Sequence, residues 1–374
     1  MDKTAQRLVD FTLGLRREDL DEEVLHQAKR RVVDSIACAL GAYTSPPSRI
    51  ARRLAVRIAG HGGARVFGSL VRTTLDQAAF ANGVMTRYLD FNDSGLGGGH
   101  GSHPSDNLGG VLAVAESVHA SGLDFLVALA ISYEIQCRFM DSAPFNQRGW
   151  DQPISGTMGC AMAAGRLLSL SREQLHQALA LAVIPNLCTM QSRAGTELSV
   201  WKGCAAANGA RQGVFAAQLA MHGMTGPTDP FDGTYGLWAQ TVGKRYEVQP
   251  LGVPGRLAIT QSALKRHPVR NSLQTPVEAT LDLYRKMSPS EIADIAEIAV
   301  STYKAVYKKT AEDAEQWAPL TRETADHSMP AAVAVTLLDG ALTAQSYSRE
   351  RFRAPDVLAL IKIRSDLPDS RQTK

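Results

Sequence analysis

Residues 201–223 read WKGCAAANGARQGVFAAQLAMHG, and this stretch decides the fold class. Its apolar residues lack the strict alternation of a half-buried strand and run on at helical spacing, which predicts a helix. Most of the side chains are Ala or Gly, so a neighbouring helix axis can approach closely, and a segment apolar nearly all round belongs inside a bundle. The same character recurs upstream. LHQAKRRVVDSIACALGA, residues 25–42, has Gly41 near the expected stop, and LDQAAFANGVMTRYLDF, VLAVAESVHASG, FLVALAISYEIQCRFM, GCAMAAGRLLSL and EQLHQALALAVI read as one helix after another. No convincing strand appears before about residue 250.

Pro and Gly clusters in TGPTDPFDGTYGLWAQ mark a loop, and the pattern changes after it. ADIAEIAVSTY has the partly alternating, β-branched look of a strand, flanked by helices at TPVEATLDLYRKM and PAAVAVTLLDGAL, and LALIKIRSD opens a further strand. The expectation is a mainly α chain: a large all-helical domain over 1–252 and a smaller α/β domain over 253–374 whose sheet has few strands.

A chain of 374 residues buries a large core without staples. The formal charge of +3, from 40 basic and 37 acidic residues, and the lack of any basic, aromatic-rich stretch argue against nucleic acid. Charges run through the N-terminal segment and no window is long and apolar enough for a span, so the expected localisation is cytoplasmic with no membrane partner. Cys38, Cys137, Cys160, Cys188 and Cys204 are scattered through apolar segments, with no CxxC pair. They read as small core residues rather than metal or redox ligands.

One polar segment stands out. Residues 87–107, RYLDFNDSGLGGGHGSHPSDN, gather acids and histidines around five glycines between Gly95 and Gly101. Asp90 and Asp93, at i,i+3 spacing, are expected on one face of a last helical turn. His100 and His103 follow glycines whose backbone can approach a ligand closely. Ser105 or Asp106 is expected to cap the helix that follows, which would set His103 beside exposed N–H donors that favour anions. The bland alternative is a structural loop. A sharper one is a mixed Asp/His metal site, but the spacing fits no standard motif, and no metal is assigned.

Taken together, LDFND, SHPSDN, WKGCAAANGARQGVFAAQLA, GMTGP, LKRHP and TRETADHSMP resemble the MmgE/PrpD family, in one order over essentially the whole chain. The resemblance implies an all-helical domain joined to a smaller α/β domain, a homodimer, no organic cofactor, and chemistry on small polycarboxylates such as dehydration, decarboxylation or epimerisation. By that resemblance His103 is the catalytic base, Asp93 holds its tautomer or orients substrate, and Lys202 is an active-site lysine. Asp90, Ser105, Gln152, Lys265 and Arg270 would contact substrate. Removing a proton or CO₂ beside a carboxylate makes an electron-rich intermediate, and a placed base with cationic donors is what such an intermediate requires. Asp326 and His327 are either a second acid/base pair or the cap of the helix from Pro330.

Three departures stand beside the match. GWDQP has Gln152 where decarboxylating relatives carry His, Arg270 stands where they carry another His, and Ala331 replaces a frequent Tyr. Relatives also continue for several tens of residues past this end, so the second domain is expected to be shortened. The reading is a hydro-lyase acting on a 2-methylcitrate-like tricarboxylate, with a related polycarboxylate lyase, decarboxylase or epimerase, or a non-catalytic truncated relative, as alternatives.

Overall fold

The computed structural model describes residues 2–58, 63–95 and 101–362, and helix dominates them. The chain divides into two compact units. One is Met1–Gln191 with Gly203–Leu264, and the other is Ser192–Lys202 with Lys265–Lys374.

In the first unit the principal helices are α1 (Lys3–Gly14), α2 (Glu22–Gly41), α3 (Pro46–Arg57), α4 (Leu75–Arg87), α5 (Leu108–Ser117), α6 (Gly122–Met140), α7 (Pro153–Leu167), α8 (Arg172–Val183) and α9 (Ala205–Met221). Several start on a side chain that accepts an otherwise orphaned N–H, as Asp2, Asp21, Ser45, Ser121 and Ser171 do. Helix α7 is the axis of the unit. Every residue from Pro153 to Gly165 is buried, and the helix packs on α6, α8 and α9. Small residues make this possible: a Cβ on Gly213 would sit 2.5 Å from the Thr157 carbonyl oxygen, and likewise where α4 meets α9 one on Gly83 would sit 2.9 Å from Ala207 Cβ. Phe139, Phe145 and Trp238 stack beside this core.

The sequence reading missed one piece of strand. Ala64–Arg65 pairs antiparallel with Arg72–Thr73. Its hydrophobic alternation is too short to register, and it is held by a turn with Gly68 at φ 68° and by Glu116, which accepts from both the backbone and the side chain of Arg65.

The second unit packs the helix Gln274–Tyr284 against Met329–Asp339, and the latter against Pro355–Ile361, around Val269, Leu273, Val277, Val333 and Leu337. Among its described residues there is no strand, and the chain is mainly α as expected. Residues 296–302 pair with no other strand among the described residues, and Ile295 and Ile298 are half-buried between exposed neighbours. An extended run becomes a strand only when another chain segment takes its N–H and C=O groups. In LALIKIRSD the first four residues belong to a helix, because Pro355 presets its first turn and Val357, Leu360 and Ile361 bury one face at i, i+3, i+4. Residues 363–366 lie outside the described residues.

Candidate active site

Each unit holds a buried polar cluster. In the first, α4 ends at Arg87, and Asp90 takes a left-handed conformation with φ 50°. Asp tolerates that region better than most residues. Asp90 and Asp93 therefore do not share a last helical turn as the spacing suggested. The turn instead folds Asp90 back, so that Arg87 NH1 donates to Asp90 Oδ1 at 2.7 Å with both side chains no more than 3% exposed. Asn92 Nδ2 then donates to Ser105 Oγ at 2.8 Å and to Asp106 Oδ1 at 2.9 Å.

His103 is buried, 8% exposed, and its ring Nδ1 lies 2.7 Å from the backbone carbonyl oxygen of Asp93. A carbonyl only accepts, so Nδ1 carries the proton and, in the neutral ring, the lone pair sits on Nε2. It is thus the main chain of Asp93 that sets the tautomer. The Asp93 carboxylate acts elsewhere, with Oδ1 accepting the Ser105 N–H at 3.1 Å. Beside it, burial and the Asp93 charge push the Tyr133 phenol well above its ordinary value.

Ser105 and Asp106 do not cap α5 with their side chains. They lie in a 3₁₀ turn, Pro104–Asn107, that leads into it. Gly95 N–H donates to Ser102 O and Ser94 pairs with Ala263, which closes the base of the glycine-rich segment. His100 and the glycines from 97 to 99 lie outside the described residues.

Gln152 is 1% exposed and is the last of a chain of three amides. Asn107 Nδ2 donates to Gln136 Oε1 at 2.8 Å, Gln136 Nε2 to Gln152 Oε1 at 2.5 Å, and Gln152 Nε2 to Asp106 Oδ2 at 3.0 Å. Every amide points the same way and the chain ends on a carboxylate.

The second unit concentrates charge instead. Thr321 caps the turn Arg322–Ala325, and Glu197 accepts from the Thr321 hydroxyl at 2.9 Å and from the Thr324 hydroxyl at 2.6 Å, which fixes that turn. Asp326 follows it, wholly buried. Its Oδ1 lies 2.5 Å from Lys202 Nζ and 2.7 Å from His327 Nδ1, its Oδ2 accepts from Arg322 NH1 at 3.0 Å, and its carbonyl accepts the Arg270 N–H at 3.1 Å. Burial raises the carboxyl, but Lys202, His327 and Arg322 outweigh it and hold Asp326 below the usual carboxylate range, at about 2. Burial, aided by Lys202 and opposed by Asp326, takes His327 down to about 3. Its imidazole is neutral.

Lys202 and Arg322 both face Asp326, and Arg270 adds to the positive field at His327. Glu323, also buried, is pushed upward by burial and by Asp326. Such a gathering of cations suits an anionic ligand. Lys265 belongs to this unit too and is 6% exposed. Neither Asp326 nor His327 caps the next helix. Ser328 does, accepting the Ala331 N–H at 3.0 Å.

Sequence reasoning passed over Arg87, Asn92, Gln136 and Arg322, and took Asp106 only as a helix cap. Arg87 and Arg322 were readable as partners at i,i+3 and i,i+4 from an acid. Gln136 had a weaker signal, a polar residue inside the apolar run of α6. The cysteines form no disulfide among the described residues, and no described helix is long and apolar enough to cross a membrane.

The first unit is a helical bundle with a tautomer-fixed imidazole, and the second carries buried lysines beside half-buried arginines. The MmgE/PrpD N-terminal domain model matches residues 6–249 and the MmgE/PrpD C-terminal domain model matches 267–364. The chain belongs to the MmgE/PrpD family. It is 30% identical to a 2-methylcitrate dehydratase of Escherichia coli K12, with 92% of this chain and 73% of that protein aligned. It is 28% identical to a 2-methylcitrate dehydratase of Cupriavidus necator, with 95% and 76% aligned, and 26% identical to human cis-aconitate decarboxylase, with 95% and 75% aligned.

Proposed function

We propose that the chain is a hydro-lyase that dehydrates a 2-methylcitrate-like tricarboxylate by base-assisted β-elimination of water. His103 Nε2 removes the proton beside a substrate carboxylate, the C–H electron pair forms the alkene as the C–O bond breaks, and the departing hydroxide becomes water by taking up a proton, either the one now on the His103 imidazolium or one from solvent. Lys202, Lys265 and Arg270 bind carboxylates, and Asp90, Asp93, Ser105 and Gln152 shape the region around the base. The observation that carries the reading is the 2.7 Å bond from His103 Nδ1 to the Asp93 carbonyl, which leaves Nε2 as the basic nitrogen. Charge-assisted contacts to carboxylates contribute roughly 1.5–3 kcal/mol each.

Dehydration gives a conjugated alkene. Incubation of the purified chain with 2-methylcitrate should raise ultraviolet absorbance, and silence toward 2-methylcitrate and citrate at high enzyme concentration defeats the proposal. Decarboxylation is the second reading, favoured by the human relative. Against it, Gln152 cannot shuttle a proton and its amide is already engaged with Gln136 and Asp106. Release of CO₂ from cis-aconitate would reverse that preference. We place the protein in the cytoplasm as a homodimer. Val33 and Leu40 on α2 with Ile50, Leu54 and Ile58 at α3 expose apolar surface that a second copy would cover. A monomeric mass by light scattering at micromolar concentration would count against the dimer.

A further inference from the structure

We propose that Asp326 is a positioning residue, which holds Lys202 at the place where it receives a substrate carboxylate and fixes His327 as its Nδ1–H tautomer. Asp326 Oδ1, Lys202 Nζ and His327 Nδ1 form a triangle with sides of 2.5, 2.7 and 3.0 Å. Only two of the three sides can be good hydrogen bonds. If Lys202 donates to Nδ1, that nitrogen is an acceptor and faces the carboxylate lone pairs across the 2.7 Å side. If Nδ1–H and the ammonium both donate to Oδ1, the remaining contact is the longest side, 3.0 Å, between two donors. A carboxylate is the stronger acceptor, so the second arrangement holds. Oδ1 thus takes two donors while Arg322 occupies Oδ2, and the carboxylate is pinned from both ends.

A lysine has a compact charge on a flexible stem and four rotors to order. In this unit its ordering is supplied before any ligand arrives, by one buried oxygen. Arg322 also meets Asp326, so the carboxylate divides its charge between two cations, and Lys202 remains attractive to a second carboxylate while being held by the first. The positioning role rests on the hydro-lyase reading for its kinetic test. The tautomer assignment does not.

Two experiments separate them. In protein labelled with ¹⁵N-histidine, the ring signals of His327, assigned by their loss in His327→Gln, should show protonated Nδ1 in the parent. An Nε2–H signature overturns the tautomer assignment, whether or not the protein turns over any substrate. In kinetics, Asp326→Asn should lower kcat by about 10²-fold, the scale of an ångström-level misplacement, with KM changed less than kcat. In a Lys202→Ala background the same substitution should lower kcat less than about twofold further, because the group it positions is gone. Asp326→Glu should recover part of the loss. Equal effects of Asp326→Asn with and without Lys202 would mean the pair serves only stability and would overturn the positioning role. If Asp326→Asn does not fold, the parent's ring signals still decide the tautomer, and Arg322→Lys takes its place in the cycle, with the same loss expected to vanish without Lys202.

Discussion

The two buried clusters each hold a fully dried carboxylate, and they settle it differently. Asp106 in the first unit is met by the amides of Asn92 and Gln152, with Arg87 Nε no nearer than 3.8 Å. Asp326 in the second is met by Lys202, Arg322 and His327. Neutral donors satisfy the Asp106 oxygens without adding charge, and together with the buried Arg87–Asp90 pair they fix the shape of the first cluster around His103. Cations gather on the other carboxylate, so the second cluster retains an attraction for anions. On the proposed function, His103 is the base and Lys202 binds a carboxylate, and the largest effects of substitution should fall on these two groups.

His103→Ala should lower turnover by roughly 10² to 10⁴, the usual contribution of a general base. Stability should fall by about 1 kcal/mol for the lost hydrogen bond to Asp93 O, plus what its burial contributes. Lys202→Ala should raise KM as well as lower kcat, and this contrast is what assigns the two roles to different units. Parent-like turnover in His103→Ala ends the assignment of the base.

Next in size is Asp90→Ala, which removes the 2.7 Å partner of an Arg87 side chain that is 1% exposed. Removing one member of a buried pair costs about 3–5 kcal/mol, measurable as a drop in urea midpoint at constant m-value. A loss below about 1 kcal/mol would place Arg87 and Asp90 among ordinary surface-like pairs and remove charge from the account of how the first cluster holds its shape.

The pH response comes third. His327 has a folded-state pKa near 3 against an ordinary value of 6.5, so between those values the unfolded chain binds more protons. Stability from the neutral ring is complete above pH 6.5 and is lost as pH falls toward 3. At pH 5 the loss approaches about 2 kcal/mol. Lys202 and Arg270 steepen it and Asp326 opposes it. Urea midpoints at pH 7 and pH 5 should differ in the parent and differ less in His327→Gln. Identical slopes in both proteins would show that His327 does not titrate between them.

The sequence made much of the bundle legible because Ala, Gly and aliphatic residues at helical spacing are a local signal, and α2 and α4 through α9 follow it, whereas the Arg-rich α3 was not read. It misread the second unit where composition and context diverge. Ile295 and Ile298 have strand-like side chains but no described strand pairs with them, and Leu358–Ile361 is helical because Pro355 starts the turn and one face is buried. The polar residues singled out from the sequence, His103, Asp93, Lys202 and Asp90, all fall in the buried clusters. Their contacts were not legible. Nothing in the spacing of Asp90 announces a left-handed residue folding back on Arg87, and no local pattern links Gln136 to Gln152 or Lys202 to Asp326, which are 124 positions apart.

The smallest effect concerns the amide chain, and it sharpens the contrast between neutral and charged burial. Gln152→Leu removes the acceptor for Gln136 Nε2 and a donor to Asp106 Oδ2, so it should cost about 1–3 kcal/mol for polar groups stranded in the interior. Gln136→Leu alone should cost a similar amount by stranding Gln152 Oε1. With both replaced, the bond between the two has no orphan left behind, and the double variant should lose less than the sum of the singles by about 0.5–3 kcal/mol. No such relief is expected for Lys202 and Asp326 replaced together, because Arg322 and His327 then face an emptied centre. Urea unfolding of the four single and two double variants reads both couplings. Strict additivity at Gln136 and Gln152 would mean that the amides act independently and that the first cluster is not a connected network.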